Sequence, residues 1–169
     1  MPRLIVLNGP PGIGKSTLAR RYVEDHPLAL SLELDVLRGL LGGWRSRESE
    51  SGLLARAMSL DMIRTHLAHG HDVIVPQFVA LPDYLDRLAE LGAVELALMA
   101  PLEVAEQRFQ ARDTEHGRVA VEVVAETGGY AVQYARLVEL VEARRPLVID
   151  ATDLANAYTE LLAAASMEA

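Results

Sequence analysis

The chain has 169 residues, a formal net charge of −8 and half of its residues hydrophobic, which excludes a disordered chain and leads us to expect one domain spanning residues 1–169. It has no cysteine, so a disulfide framework and a thiolate metal site are ruled out. The acidic balance weighs against nucleic acid or anionic lipid as a partner, and no segment reaches the roughly 20 apolar residues of a membrane helix.

The residues after Met1 lack the apolar stretch and small-residue cleavage site of a signal peptide, so a cytoplasmic protein is expected. Arg3 to Asn8 is a short apolar run and predicts a buried parallel strand. A glycine- and proline-rich loop follows, then a helix from Lys15 to about Asp25. Leu28 to Leu34 predicts a second strand with Asp35 at its end, and Val36 to Leu41 a short helix. Gly42 to Gly52 is polar and glycine-bearing and predicts a mobile loop. Leu53 to Gly70 carries apolar residues at helical spacing.

Asp72 to Pro76 predicts a third strand, Pro82 to Leu91 a helix, Val94 to Ala100 a fourth strand, and Leu102 to about Arg112 a helix. A polar break covers Asp113 to Gly117, and Val119 to Ala143 is helical with an interruption at Gly128-Gly129. Leu147 to Asp150 predicts a fifth strand and Leu154 to Ala165 a last helix. Strands alternating with helices specify a three-layer α/β fold with a parallel sheet.

Gly9-Pro-Pro-Gly-Ile-Gly-Lys-Ser satisfies G-x-x-x-x-G-K-[ST] between a predicted strand and a predicted helix. In such a loop Gly9, Gly12 and Gly14 let the backbone curl, so that the segment Gly9, Pro11, Gly12, Ile13, Gly14, Lys15, Ser16 and Thr17 wraps around phosphates with its available N–H groups inward. The helix N-terminus adds partial positive charge. Lys15 reaches the β- and γ-phosphates, and the Ser16 hydroxyl is the candidate ligand for Mg²⁺. Of the 16 lysines and arginines only Lys15 is a lysine. The cofactor is read as a purine nucleoside triphosphate, ATP, with Mg²⁺. An N-K-x-D base-reading motif would need a second lysine, so a Ras-type GTPase is excluded. A mechanical ATPase would end an apolar strand in acid, whereas Val73-Ile74-Val75 runs into Pro76-Gln77.

The segments LIVLNGPPGIGKSTLARR, LELDVLR and AHGHDVIVPQF, with the arginine-bearing helix at Arg108, keep their order in the small P-loop kinases, which this chain resembles. That group of AAA-type ATPases includes chloramphenicol phosphotransferase, zeta toxins, gluconate kinase and the kinase domain of polynucleotide kinase. The resemblance implies a P-loop NTPase fold with a five-stranded parallel sheet and a mobile lid at about 108–118. It also implies that lid arginines close over the triphosphate. Arg112 is then a catalytic candidate, Arg108 either joins it or stacks on adenine, and Arg118 is a further member. His116, in the same loop, is read as solvated.

Asp35 is the candidate general base, because phosphoryl transfer needs a carboxylate beside the acceptor hydroxyl; helix N-capping is the competing reading. Arg38 either binds an anionic part of the acceptor or is a solvated helix arginine. Trp44 is either a wall of the substrate site or a packed anchor for its loop. Gln77 stands where many relatives of this group place Asp; it cannot supply that charge but can hydrogen-bond the acceptor. Asp150 to Asn156 either border adenine or cap a helix. Leu40, Leu41, Trp44 and Met58 can line an apolar wall. The expected function is transfer of the γ-phosphate of ATP to a hydroxyl of a small molecule, with an antibiotic as the leading candidate. A polynucleotide or nucleotide-sugar kinase and a non-catalytic regulatory ATPase are the alternatives. The composition carries no signal for an oligomeric state.

Overall fold

The computed structural model describes residues 1–78, 81–111, 124–125 and 127–166. Five strands, β1 (Leu4–Asn8), β2 (Leu30–Ser31), β3 (Val73–Gln77), β4 (Ala93–Met99) and β5 (Leu147–Asp150), form one sheet in the order β2-β3-β1-β4-β5 with every pairing parallel. The described residues form seven α-helices: α1 (Lys15–Asp25), α2 (Leu34–Gly39), α3 (Glu48–Ala68), α4 (Pro82–Glu90), α5 (Leu102–Gln110), α6 (Tyr130–Arg144) and α7 (Leu154–Ser166). One turn of 3₁₀ helix covers Trp44–Ser46. The expected three-layer α/β fold with its five-stranded parallel sheet is therefore present.

The two faces of the sheet follow from the two-residue period of a strand. Ile5, Leu7 and Ile74 enter a core with Leu18 and Tyr22 of α1, Phe109 of α5 and Leu161 of α7. Leu4, Val6, Val73 and Val75 point the other way, onto Ala55 and Ile63 of α3 and Leu85 and Leu88 of α4. Every residue of β1 and β3 is buried, as strands covered on both faces require.

Three expected boundaries are corrected. The second strand, expected over Leu28 to Leu34, is confined to Leu30–Ser31. Leu28 has φ 65 and so stands in the left-handed region, in the turn that follows α1 rather than in a strand. Asp35 accordingly lies in the first turn of α2, not at a strand end. The stretch expected as a loop from Gly42 to Gly52 contains the 3₁₀ turn and the start of α3 at Glu48. Glu48 and Glu50 in that first turn complement the helix dipole, and the Ser51 hydroxyl donates to the carbonyls of Trp44 and Glu48.

The short β2 accounts for a proline in an interior strand. Leu30 N–H donates to the Asp72 carbonyl and Leu32 N–H to the Ile74 carbonyl, so even-numbered residues of β3 turn their backbone groups toward β2. Pro76 is the next of that set, and it lies beyond the paired ladder, which ends at Ser31 and Ile74. Its missing N–H therefore falls where the pairing with β2 has already ended.

Candidate active site

The phosphate loop leaves the carboxyl end of β1, the central strand. Asn8 Oδ1 accepts the Gly9 N–H at 3.0 Å, fixing the exit. Gly12 (φ 82) and Gly14 (φ 111) take left-handed backbone, and each is closely backed. A Cβ on Gly12 would lie 2.7 Å from the backbone N and Cα of Phe109, and one on Gly14 would lie 2.6 Å from Leu154 Cδ2. Gly14 is the N-cap of α1, with no side chain bonding the first turn and no acidic residue in it. No acid or capping side chain thus competes at this helix start, where the helix dipole favours an anion.

Lys15 Nζ donates to the carbonyls of Gly9 and Pro10, each at 2.8 Å, and lies 5.9 Å from the centre of the Phe78 ring. The two prolines shape this arrangement. Neither Pro10 nor Pro11 has an N–H, so this part of the loop presents carbonyls to the lysine, and the donors begin at Gly12. Ser16 is half-buried in the first turn of α1, and Thr17 is exposed.

Asp35, Arg38 and Trp44 are brought together. The Asp35 carboxylate is 78% exposed and lies 3.7 Å from Arg38. Glu33 is the N-cap of α2, so the capping reading of Asp35 is not what the helix uses. The Trp44 ring meets two guanidinium groups, Arg38 at 5.1 Å and Arg45 at 4.7 Å from its ring centre. Gln77 ends β3 in register with Asn8 and is buried, and its Nε2 has no hydrogen-bond partner among the described residues. The sheet order puts β3 between β1 and β2. With strands about 4.8 Å apart, the ends of β1 and β2 are roughly 10 Å apart. Gln77 and Phe78 thus stand between the lysine's strand and the strand that leads to Asp35.

Residues 4–133 match a family model described as an AAA domain. The chain belongs to this AAA domain family. The adenylate kinase of Deinococcus radiodurans is 29% identical over 131 residues, which cover 70% of this chain and 66% of that protein. A gluconokinase from Sinorhizobium meliloti has the same fold, with a TM-score of 0.63 at 22% identity, covering 98% of this chain and 92% of that one. The tunicamycin resistance protein of Deinococcus radiodurans also shares it, with a TM-score of 0.59 at 18% identity, covering 95% and 96%. This AAA domain protein thus shares its fold with the gluconokinase and with the tunicamycin resistance protein.

Other expected site residues have found other surroundings. The Arg108 guanidinium donates to the carbonyls of Ala151 and Thr152, both at 2.6 Å, and so ties α5 to the turn after β5. In that turn Asp150 Oδ1 accepts the Thr152 N–H, which holds the exposed Asp150 carboxyl below its ordinary range. Asp153 Oδ1 accepts the N–H groups of Ala155 and Asn156 and caps α7. Arg112, His116 and Arg118, and most of the expected lid at 108–118, lie outside the described residues. Of the apolar wall, Leu40 is exposed, whereas Leu41, Trp44 and Met58 are half-buried.

Asn8, Phe78, Phe109, Leu154 and Tyr130 escaped the reading of the sequence. Asn8 ends β1 and Phe78 directly follows β3, so both could have been found at the strand ends. The Tyr130 hydroxyl donates to the Pro11 carbonyl at 2.9 Å across 119 residues of sequence, with no local signal. Burial, with the charge of Glu106 second, pushes the Tyr130 hydroxyl well above its ordinary pKa, so it stays a donor through the physiological range.

Proposed function

We propose that this AAA domain protein is an ATP-dependent phosphotransferase that moves the γ-phosphate to a hydroxyl of a small molecule, with Asp35 as general base. The observation that carries the reading is the sheet edge itself. A phosphate loop with its lysine follows β1, and an exposed carboxylate paired with Arg38, which in turn lies over Trp44, follows β2, two strands away. That separation accommodates a γ-phosphate and an acceptor in line.

In the transfer, the acceptor oxygen bonds to the γ-phosphorus while the bond to the β–γ bridging oxygen breaks, and ADP leaves with that electron pair. Asp35 takes the hydroxyl proton. Lys15 and the N–H groups at the start of α1 offset charge on the phosphates. Mg²⁺ prefers oxygen ligands, and the Ser16 hydroxyl with the phosphate oxygens fits that preference. The described residues contain no group of three or more His, Cys, Asp or Glu that could hold a metal. Bound there, Mg²⁺ would neutralise charge on the phosphates. Arg112 is proposed to add a cation on the moving group, and Arg108 to border adenine from its place at Ala151 and Thr152.

A hydroxylated antibiotic or a sugar-like metabolite is the proposed acceptor class. The structural likeness to a tunicamycin resistance protein and to a gluconokinase supports it at the level of fold. The test is a phosphorylation screen with Mg²⁺-ATP against sugars, sugar acids, nucleosides, hydroxylated antibiotics and nucleic acid 5′ ends. With the acceptor found, Asp35→Asn should cut turnover about 10²-fold or more and leave ADP affinity within about twofold. Fastest turnover on nucleic acid ends would transfer the chain to the polynucleotide kinases. Nucleotide binding without transfer to any acceptor would make it a regulatory ATPase.

A further inference from the structure

Two elements far from the phosphate loop in sequence meet it at one peptide. Phe109, near the end of α5, backs Gly12 so closely that no Cβ fits. Tyr130, the first residue of α6, is buried, packs against Phe109 with ring centres 5.1 Å apart and the rings tilted by 32°, and donates its hydroxyl to the Pro11 carbonyl. The Pro11–Gly12 unit is the first peptide of the loop after Gly9 that has an N–H at all, because the two before it end in proline nitrogen.

A trans peptide is planar, with its C=O and N–H pointing in opposite directions. Drawing the Pro11 oxygen back toward Tyr130 therefore turns the Gly12 N–H away from α5 and α6. The opposite side is the concave side of the loop, since Phe109 fills the space behind Gly12. We propose that Tyr130 is a positioning residue of the nucleotide site: its hydroxyl, by holding the Pro11 carbonyl, aims the Gly12 N–H at the phosphates. A phosphate nest needs its donors aligned before the anion arrives, because a peptide free to rotate loses part of the binding energy in being ordered. With Pro10 and Pro11 contributing no donors, the Gly12 N–H has more weight here than in a loop with a full set.

The inference rests on the nucleotide-binding part of the proposed function. It is tested by binding rather than turnover, so the two can fail separately. Tyr130→Phe removes only the oxygen and keeps the ring on Phe109. Tyr134→Phe is the control. The Tyr134 hydroxyl donates to the Ala100 carbonyl at 2.7 Å, so it removes an equivalent bond from the same helix without touching the loop. Calorimetry on both variants and the parent would use ADP and adenosine as probes. Tyr130→Phe should weaken ADP about fivefold to tenfold, the scale of one well-placed hydrogen bond, and leave adenosine within about twofold. Tyr134→Phe should leave both within about twofold. The ³¹P shift of the β-phosphate of bound ADP should move in Tyr130→Phe alone. Unchanged ADP affinity in Tyr130→Phe, an equal loss for ADP and adenosine, or an equal loss in Tyr134→Phe would overturn the assignment. A parent that binds no ADP would overturn it together with the phosphotransferase reading.

Discussion

Gly12 combines two constraints that can be separated by experiment. Its φ of 82 is costly for any residue with a Cβ, and the added atom would meet the Phe109 backbone at 2.7 Å. Gly92 has nearly the same φ, 80, but nothing within 4 Å of where a Cβ would be. Gly92→Ala should therefore cost about 1 kcal/mol, the backbone part alone. Gly12→Ala should cost roughly 2–4 kcal/mol, because a contact with backbone cannot be relieved by a rotamer change, and should also weaken ADP at least about tenfold. Urea melts of both variants decide it, and equal losses would mean that Phe109 yields easily. At this scale the loop's place between β1 and α1 was legible because its signal is contiguous: the glycines, the lysine and the serine lie within eight residues. Phe109 and Tyr130 were not, because nothing local in α5 or α6 records that the loop needs support there.

The misplaced elements have one cause in common, which is that local pattern does not report pairing. Leu28 to Leu34 is apolar enough for a strand, yet only Leu30 and Ser31 find a ladder on β3, and Leu34 already turns into α2. Asp35 was legible as a carboxylate at the right edge of the sheet, though not as a helix residue. The start of α3 was missed because Glu48, Ser49, Glu50 and Ser51 look like loop by composition, while charge at the helix start and the two bonds of the Ser51 hydroxyl favour helix. An element contact that no periodicity could show joins β4, α4 and α6. Arg144 near the end of α6 bonds both oxygens of Glu95 on β4, and Asp86 on α4 at 2.6 Å. Glu95 is largely buried, at 18% side-chain exposure, and Asp86 is 63% exposed. Arg144→Gln leaves Glu95 with its charge unpaired and should destabilise by about 2–3 kcal/mol, somewhat below the range for fully buried pairs. Asp86→Asn removes only an exposed partner and should cost at most about 0.5 kcal/mol. Equal effects in denaturant melts would mean that burial does not set the value of this pair.

On the scale of the molecule, the parallel sheet and its two cores were legible from the alternation of apolar strands and amphipathic helices, whereas the strand order was not, since it depends on which crossover packs on which face. That order determines how binding would couple to stability. The phosphate loop touches Leu98 of β4 behind Gly9, Phe109 of α5 behind Gly12, Tyr130 of α6 at Pro11 and Leu154 of α7 behind Gly14. One whole helical layer therefore rests against it, and a ligand that fixes the loop is linked to the cohesion of that layer. A ligand that binds only the folded state stabilises it by about 2.7 kcal/mol at a hundredfold excess over its dissociation constant. For a chain of this size each kcal/mol raises the melting temperature by roughly 2–4 °C. ADP at that excess should therefore raise it by roughly 5–10 °C. Adenosine at the same concentration should raise it far less, because the contacts proposed for the loop are with phosphate alone. Lys15→Ala, at the ADP concentration that saturates the parent, should lose most of the rise, since the ammonium that sits on the Gly9 and Pro10 carbonyls is the loop's side-chain cation. Thermal melts of the two proteins with each ligand give the answer. An undiminished rise in Lys15→Ala, or an equal rise with adenosine, would place the nucleotide's hold on the protein somewhere other than this loop.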